Sequence, residues 1–244
     1  MSNRKSWLIW ALGGLMAASA HAALVLEGTR VIYNAKEAEV TLKVSNKGAK
    51  PALAQVWLDT GDPAARPETI KVPFTLSPPV FRVDAGKVQT LRLIQTGEPM
   101  PAERESVFWL SLLDIPSSAQ TPDANTLQMA FRTRVKVFYR PEGLKDKPED
   151  AAKHLAWQLS NEAGKPALQV SNPSSYYVSL GAVEVLSGKG NAKVLEAGML
   201  APGEKRSLIL QGEVSRPARV HFFSIGDYGT DIEASAALQG EVLH

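Results

Sequence analysis

From Thr126 to Tyr139 the chain alternates in polarity over 14 residues. Leu127, Met129, Phe131, Val135, Val137 and Tyr139 share one face with a single threonine, Thr133. The other face carries Gln128, Arg132, Arg134 and Lys136, with Ala130 and Phe138 as its apolar exceptions. A period of two marks a β-strand with one buried face. Fourteen residues extend roughly 45 Å, whereas an ordinary strand has about 5–6 residues. A sandwich about 20 Å long runs out of core before such a strand ends. Part of the apolar row is then an exposed liability, or it is used to pair with another chain. The pattern alone leaves core and partner equally open. Burying three of its large side chains fully against a partner is worth roughly 5–9 kcal/mol gross, before the entropic cost of association.

Alternating runs recur through the rest of the chain with turn residues between them, which argues for an all-β, antiparallel fold. Seven strands are expected in the first half: Leu24 to Tyr33, Glu39 to Asn46, Leu53 to Thr60, Val72 to Ser77, Val88 to Gln95, Ser106 to Ile115 and Thr126 to Tyr139. Asn46-Lys47-Gly48, Asp62-Pro63 and Ser77-Pro78-Pro79 punctuate them. That number and spacing fit an immunoglobulin-like sandwich. A charged stretch from Lys145 to Asp150 reads as a boundary, after which six further strands are expected between Leu155 and Ile225. The organisation expected is therefore 1–22 as a leader, 23–142 as one sandwich and 143–244 as a second.

Residues 1–22 read as a secretory signal, with Arg4 and Lys5 ahead of an apolar run and Ala20-His21-Ala22 as the cleavage pattern. The run is shorter than the roughly 20 residues of a spanning helix. The leader holds two of the 27 basic residues and no acid, so the remainder balances at 25 of each sign. A global basic field for nucleic acid is not expected, and nucleic acid is excluded as a partner. An exported chain could use disulfides, yet this one has no cysteine. Three histidines follow the leader, His154, His221 and His244, far apart in sequence. No G-x-S-x-G, H-E-x-x-H or phosphate-cradling glycine loop is present. The expectation is a binding protein with no catalytic residues, metal or cofactor.

Several segments together resemble one family. They are Thr29-Arg30-Val31-Ile32-Tyr33, Phe74 to Pro79, Met100 to Leu110, Arg132 to Pro141, Asn172 to Tyr177 and Gly226-Asp227-Tyr228-Gly229. In this order, across nearly the whole chain after the leader, they are similar to the periplasmic chaperones of the chaperone-usher pathway. Glu103 stands where the family usually has Asp, and Ser174-Ser175 replaces the usual Thr-Pro.

The resemblance implies a boomerang of two immunoglobulin-like domains in the periplasm. Its partners would be pilus or fimbrial subunits and adhesins, which it would deliver to an outer-membrane usher. On this resemblance a subunit would be an incomplete sandwich, and the chaperone would lend its long strand to the gap by donor-strand complementation, a form of β-augmentation. Leu127, Met129 and Phe131 would enter the subunit's groove. Arg30 and Lys136 match the anchor for the subunit's C-terminal carboxylate. Lys136 lies on the opposite strand parity from Phe131, so twist, a bulge or the partner's wrapping must reconcile the two. Glu105, Arg140 and Asp227 match an interdomain charge network. The cysteine-free segment Pro116 to Asn125 resembles the short-loop class, typical of fimbriae. Self-association of the free chain over its own donor strand is left open. Two other classes compete: a pilin or adhesin, which should lack its final strand, and a periplasmic enzyme on a sandwich scaffold, which should carry a nucleophile or metal motif.

Overall fold

The computed structural model describes residues 23–115, 129–188, 190–215 and 218–238. The leader, the segment Pro116 to Asn125 and Leu127 lie outside them. Nine strands build the first half: β1 (Leu24–Leu26), β2 (Arg30–Asn34), β3 (Val40–Asn46), β4 (Ala52–Asp59), β5 (Phe74–Ser77), β6 (Val80–Val83), β7 (Val88–Gln95), β8 (Ser106–Ile115) and β9 (Phe131–Arg140). They form two facing sheets, β1-β3-β7-β5 and β2-β9-β8-β4-β6. The sheets share one core, in which Val44, Leu91, Leu93, Leu110 and Val137 are fully buried. At its cleft end Tyr33, Phe74, Phe108 and Tyr139 pack ring on ring, with centroids 5.1–6.1 Å apart. The Tyr33 hydroxyl donates to the Ala38 carbonyl and accepts from the Gln95 N–H, so the buried phenol is satisfied at both ends.

The run Leu24 to Tyr33, expected as one strand, is two strands in different sheets. β1 pairs antiparallel with β3, whereas β2 pairs parallel with β9. The chain crosses over at residues 27–29, where Gly28 has φ of +86°. That left-handed conformation is open to glycine without a side-chain penalty and ends the first strand. The crossing decides the site, because it lays Arg30 beside the long strand. β6, four residues long and directly following the double proline, was not expected from the sequence and closes the sheet edge against β4.

A four-residue helix (Pro148–Ala151) leads into the second half. Its strands are β10 (Ala156–Glu162), β11 (Lys165–Ser171), β12 (Val178–Ser187), β13 (Gly190–Val194), β14 (Met199–Leu200), β15 (Lys205–Gln211), β16 (Ala218–Ile225) and β17 (Asp231–Ala237). Seven run in one path, β10-β11-β15-β13-β12-β16-β17, and β14 adds to β12. A bridge from Trp157 to Leu238 brings the two ends of that path together. The rolled sheet encloses Trp157, Phe222, Leu168, Val170 and Leu200. β14 and β17 escape the sequence reading for a physical reason. The first has two residues, and the second, Asp-Ile-Glu-Ala-Ser-Ala-Ala, has one β-branched residue, Ile232, and no aromatic one, too few to announce a strand.

Candidate functional site

β9 spans ten residues, with one neighbour along nine of them and a second along only five. It pairs with β8 from Phe131 (opposite Asp114) to Tyr139 (opposite Ser106). β2 covers its other edge from Lys136 to Arg140 only. Residues 131–135 therefore have no partner on that edge among the described residues. The core face divides at the same place. Val135, Val137 and Tyr139 are buried, Thr133 is exposed and Phe131 is half-buried. Met129, just before the strand, is 46% exposed. The question the alternation left open has a split answer: one half of the row belongs to the chain's own core, and the other half faces outward beside an open sheet edge.

The parallel pairing of β2 with β9 sets Arg30 directly opposite Lys136. Their parity takes them to the outer face of the sheet, away from the core and toward the second half of the molecule. Arg30 Nη1 donates to the Ile225 carbonyl at the end of β16 (2.7 Å). Its guanidinium lies 5.9 Å from the Phe138 ring centre, and its Nε is buried without an acceptor among the described residues. Lys136 Nζ reaches Ser179 Oγ on β12 at 3.5 Å and lies 5.4 Å from the Trp109 ring centre.

Both cations are electrostatically under-compensated. Burial pulls the Arg30 pKa down, offset in part by Asp227, a carboxylate already engaged by Arg140. Burial also pulls Lys136 down, and the neighbouring Arg30 charge adds to the effect. Two like charges held side by side in a partly dry setting make a site for an anion, and a carboxylate suits both donors. Beside them is a cleft of about 420 Å³ between the two halves, lined by Arg30, Phe138, Arg140, Tyr177, Ile225 and Asp227 among others. Lys136 adjoins Arg30 without lining this cleft.

The structure brings Glu105, Arg140 and Asp227 together at the base of the cleft. Arg140 Nε donates to Glu105 Oε1 (2.7 Å), and its two terminal nitrogens form a fork onto Asp227 (2.7 and 3.1 Å). Glu105 Oε2 accepts the Tyr177 N–H (2.9 Å), and the Glu105 N–H reaches the Ser175 carbonyl (2.9 Å). Burial raises the Glu105 carboxyl, with Arg140 and the Tyr177 N–H pulling it back. Burial disfavours the Arg140 charge, but Asp227 and Glu105 outweigh it and hold the guanidinium firmly protonated. The Arg140 fork also lies 5.3 Å from the Tyr176 ring centre.

Phe138 and Tyr177 are contributors that the sequence reading missed. Their rings meet across the two halves at 5.9 Å. A signal for Phe138 was present, since it is an aromatic residue on the otherwise polar face of β9. The Ile225 carbonyl carried no signal, because any residue there supplies one.

Comparison with known proteins gives a consistent result. Residues 23–145 match the family model described as pili and flagellar-assembly chaperone, PapD N-terminal domain. Residues 150–236 match pili assembly chaperone PapD, C-terminal domain. The chain is 42% identical over 228 residues to "Probable fimbrial chaperone YadV" of Escherichia coli (strain K12), covering 91% of this chain and 92% of that one. It is 42% identical over 238 residues to "Chaperone protein FimB/FhaD" of Bordetella pertussis, covering 93% and 95%. The crystal structure of the YadV chaperone superposes with a TM-score of 0.77 at 40% identity, over 88% of this chain and all of that one. The Salmonella enterica SafB chaperone, solved in complex with the SafA pilin, aligns with a TM-score of 0.75 at 28% identity, over 91% and 99%.

Proposed function

The chain belongs to the family of pilus assembly chaperones defined by the PapD N- and C-terminal domains, and from that membership we propose that it captures fimbrial subunits and delivers them to an outer-membrane usher. Its place of work is the periplasm, which the secretory pattern of residues 1–22 supports. It acts by binding, without turnover chemistry.

One observation carries this reading: the edge of β9 left unpaired among the described residues, 131–135, stops where β2 begins, and the pair Arg30 and Lys136 stands at that junction. A subunit short of one strand exposes an apolar groove and an open edge, both costly in water. β9 supplies the missing strand. Its backbone groups pair with the subunit's edge in a manner tolerant of sequence, while Leu127, Met129 and Phe131 fill the groove. The two cations bind the subunit's C-terminal carboxylate and so fix where the added strand begins. Register matters because a slip by one residue turns the wrong side chains to the groove. The parity difference suits this division of labour, with the outer face holding the carboxylate and the alternate side chains serving the groove. The complex of SafB with a pilin supports subunit binding as the mode of action.

The test is co-purification from periplasmic extract of cells expressing fimbrial subunits, with the bound polypeptide identified. A fimbrial subunit recovered with wild type and lost with Arg30→Ala supports the reading; equal recovery by both sinks the carboxylate anchor. Phe131→Glu should weaken capture by at least about tenfold, because a carboxylate enters an apolar groove. Unchanged affinity would remove Phe131 from the interface.

A further inference from the structure

The half of β9 that projects past its core should fray. Thr133 is exposed and Phe131 half-buried, the β2 edge is empty there, and an extended backbone held on one side alone loses entropy with little return. On its outer face, however, this half is gripped. Asp59, the last residue of β4, is fully buried although it lies on the side of the sheet away from the core. Arg134 reaches across β8 to hydrogen-bond Asp59 Oδ1, the same oxygen that accepts the Gly61 N–H (2.8 Å). Arg132 Nη2 comes within 3.5 Å of Asp59 Oδ2. The Arg132 guanidinium also donates to Ser111 Oγ, itself fully buried, at 2.9 and 3.1 Å and to the Pro63 carbonyl at 2.6 Å.

Two tryptophans complete the arrangement. Arg132 lies over Trp57 (4.7 Å) and Arg134 over Trp109 (4.8 Å). Trp57 is on β4 and Trp109 on β8, opposite Ser111 and Asp59 respectively. Arg134 is itself opposite Ser111, so its guanidinium leans one step along the sheet, toward the cleft, to reach Asp59 and Trp109. Three strands are thus tied together by side chains on one face only. The backbone edge at 131–135 remains free among the described residues.

We infer that Asp59, with Arg132, Arg134, Trp57 and Trp109, is a clamp that holds the projecting half of β9 extended before any partner arrives. Its members are positioning residues. They order the donated strand without occupying either the edge or the alternate side chains that the subunit needs. This rests on the reading of β9 as a donated strand, and it adds that the strand is preorganised by a buried carboxylate two strands away. Ordering the strand in advance lowers the entropic cost of association.

The decisive measurement is amide hydrogen exchange on the free, full-length chain, which needs no subunit. Asp59→Asn should accelerate exchange at residues 131–135 by about tenfold while leaving residues 137–139 and the second half at wild-type rates. Arg132→Gln, which leaves the Asp59 contact to Arg134 in place, should give a smaller change of the same localisation. Association of either variant with the fimbrial subunit recovered by wild type should slow in proportion. Unchanged exchange at 131–135 overturns the clamp, as does a uniform acceleration across the first domain, which would make Asp59 a general stabiliser. Local acceleration with an unaltered association rate overturns its role in capture. Failure of the donor-strand reading itself shows separately, as normal subunit recovery by Arg30→Ala and Phe131→Glu with the exchange pattern intact.

Discussion

Replacing Lys136 with methionine should abolish subunit recovery and at the same time raise the melting temperature of the free chain. The two effects have one cause. In the unliganded protein the ammonium is partly buried beside Arg30, and both the burial and that neighbour disfavour its charge. A subunit carboxylate would repay that cost; until one arrives, the folded state carries it. Methionine keeps the apolar stem against Trp109 and removes the charge. With solvent screening discounted, a gain of about 1 kcal/mol is a rise of roughly 2–4 °C for a chain of this size. The pH dependence has a definite sign. Because the folded pKa lies below the ordinary lysine value, the folded state binds fewer protons than the unfolded one in the window between them. Wild-type stability therefore rises with pH through that window, and the advantage of the Lys136→Met variant, full at neutral pH, shrinks toward zero. Arg30→Ala should lose capture without the stabilisation, since Arg30 also ties the halves together through the Ile225 carbonyl and stacks on Phe138. Calorimetry beside co-purification checks both variants. A lower melting temperature for Lys136→Met, or normal recovery of the subunit, refutes the account.

Arg140→Ala should destabilise the protein severely. The substitution strands Glu105, whose side chain is 2% exposed, with only the Tyr177 N–H as partner, and releases Asp227. Removing one member of a buried ion pair costs about 3–5 kcal/mol, because the remaining charge is left uncompensated. For this chain that is a fall of roughly 10 °C or more in melting temperature. The network joins residues of both halves, so we expect the angle between them to loosen as well, visible as a broader solution-scattering profile. Arg140→Lys should recover only part of the loss: the charge returns, but a single ammonium cannot serve Glu105 and fork onto Asp227 together. A melting temperature within about 2 °C of wild type for Arg140→Ala would mean that the network contributes little to the fold.

How far the sequence could be read depended on whether each feature was local. The alternation along β9 is local and was legible, but it left open whether the whole apolar row belongs to the core. Which part stays outside was implied only by the family resemblance and not by the pattern, because it depends on where β2 begins. The run from Leu24 to Tyr33 was misread as one strand, since both of its pieces are rich in apolar and β-branched residues and only Gly28 marks the crossing between sheets. Asp59 gave no signal at all. An acidic residue at the end of an apolar run reads as a strand end facing water, and only the approach of Arg132 and Arg134 from a strand more than 70 residues away makes it a buried anchor.

The sequence by itself determined the class of fold, the two-part organisation and the alternation that runs into β9, because polarity period and turn chemistry are properties of neighbouring residues. The tertiary structure alone decided that Arg30 faces Lys136, that Glu105, Arg140 and Asp227 share one network, and that half of β9 keeps an open edge. Those outcomes rest on contacts between distant segments, whose energies come from burial and from charges brought together only after the chain has folded.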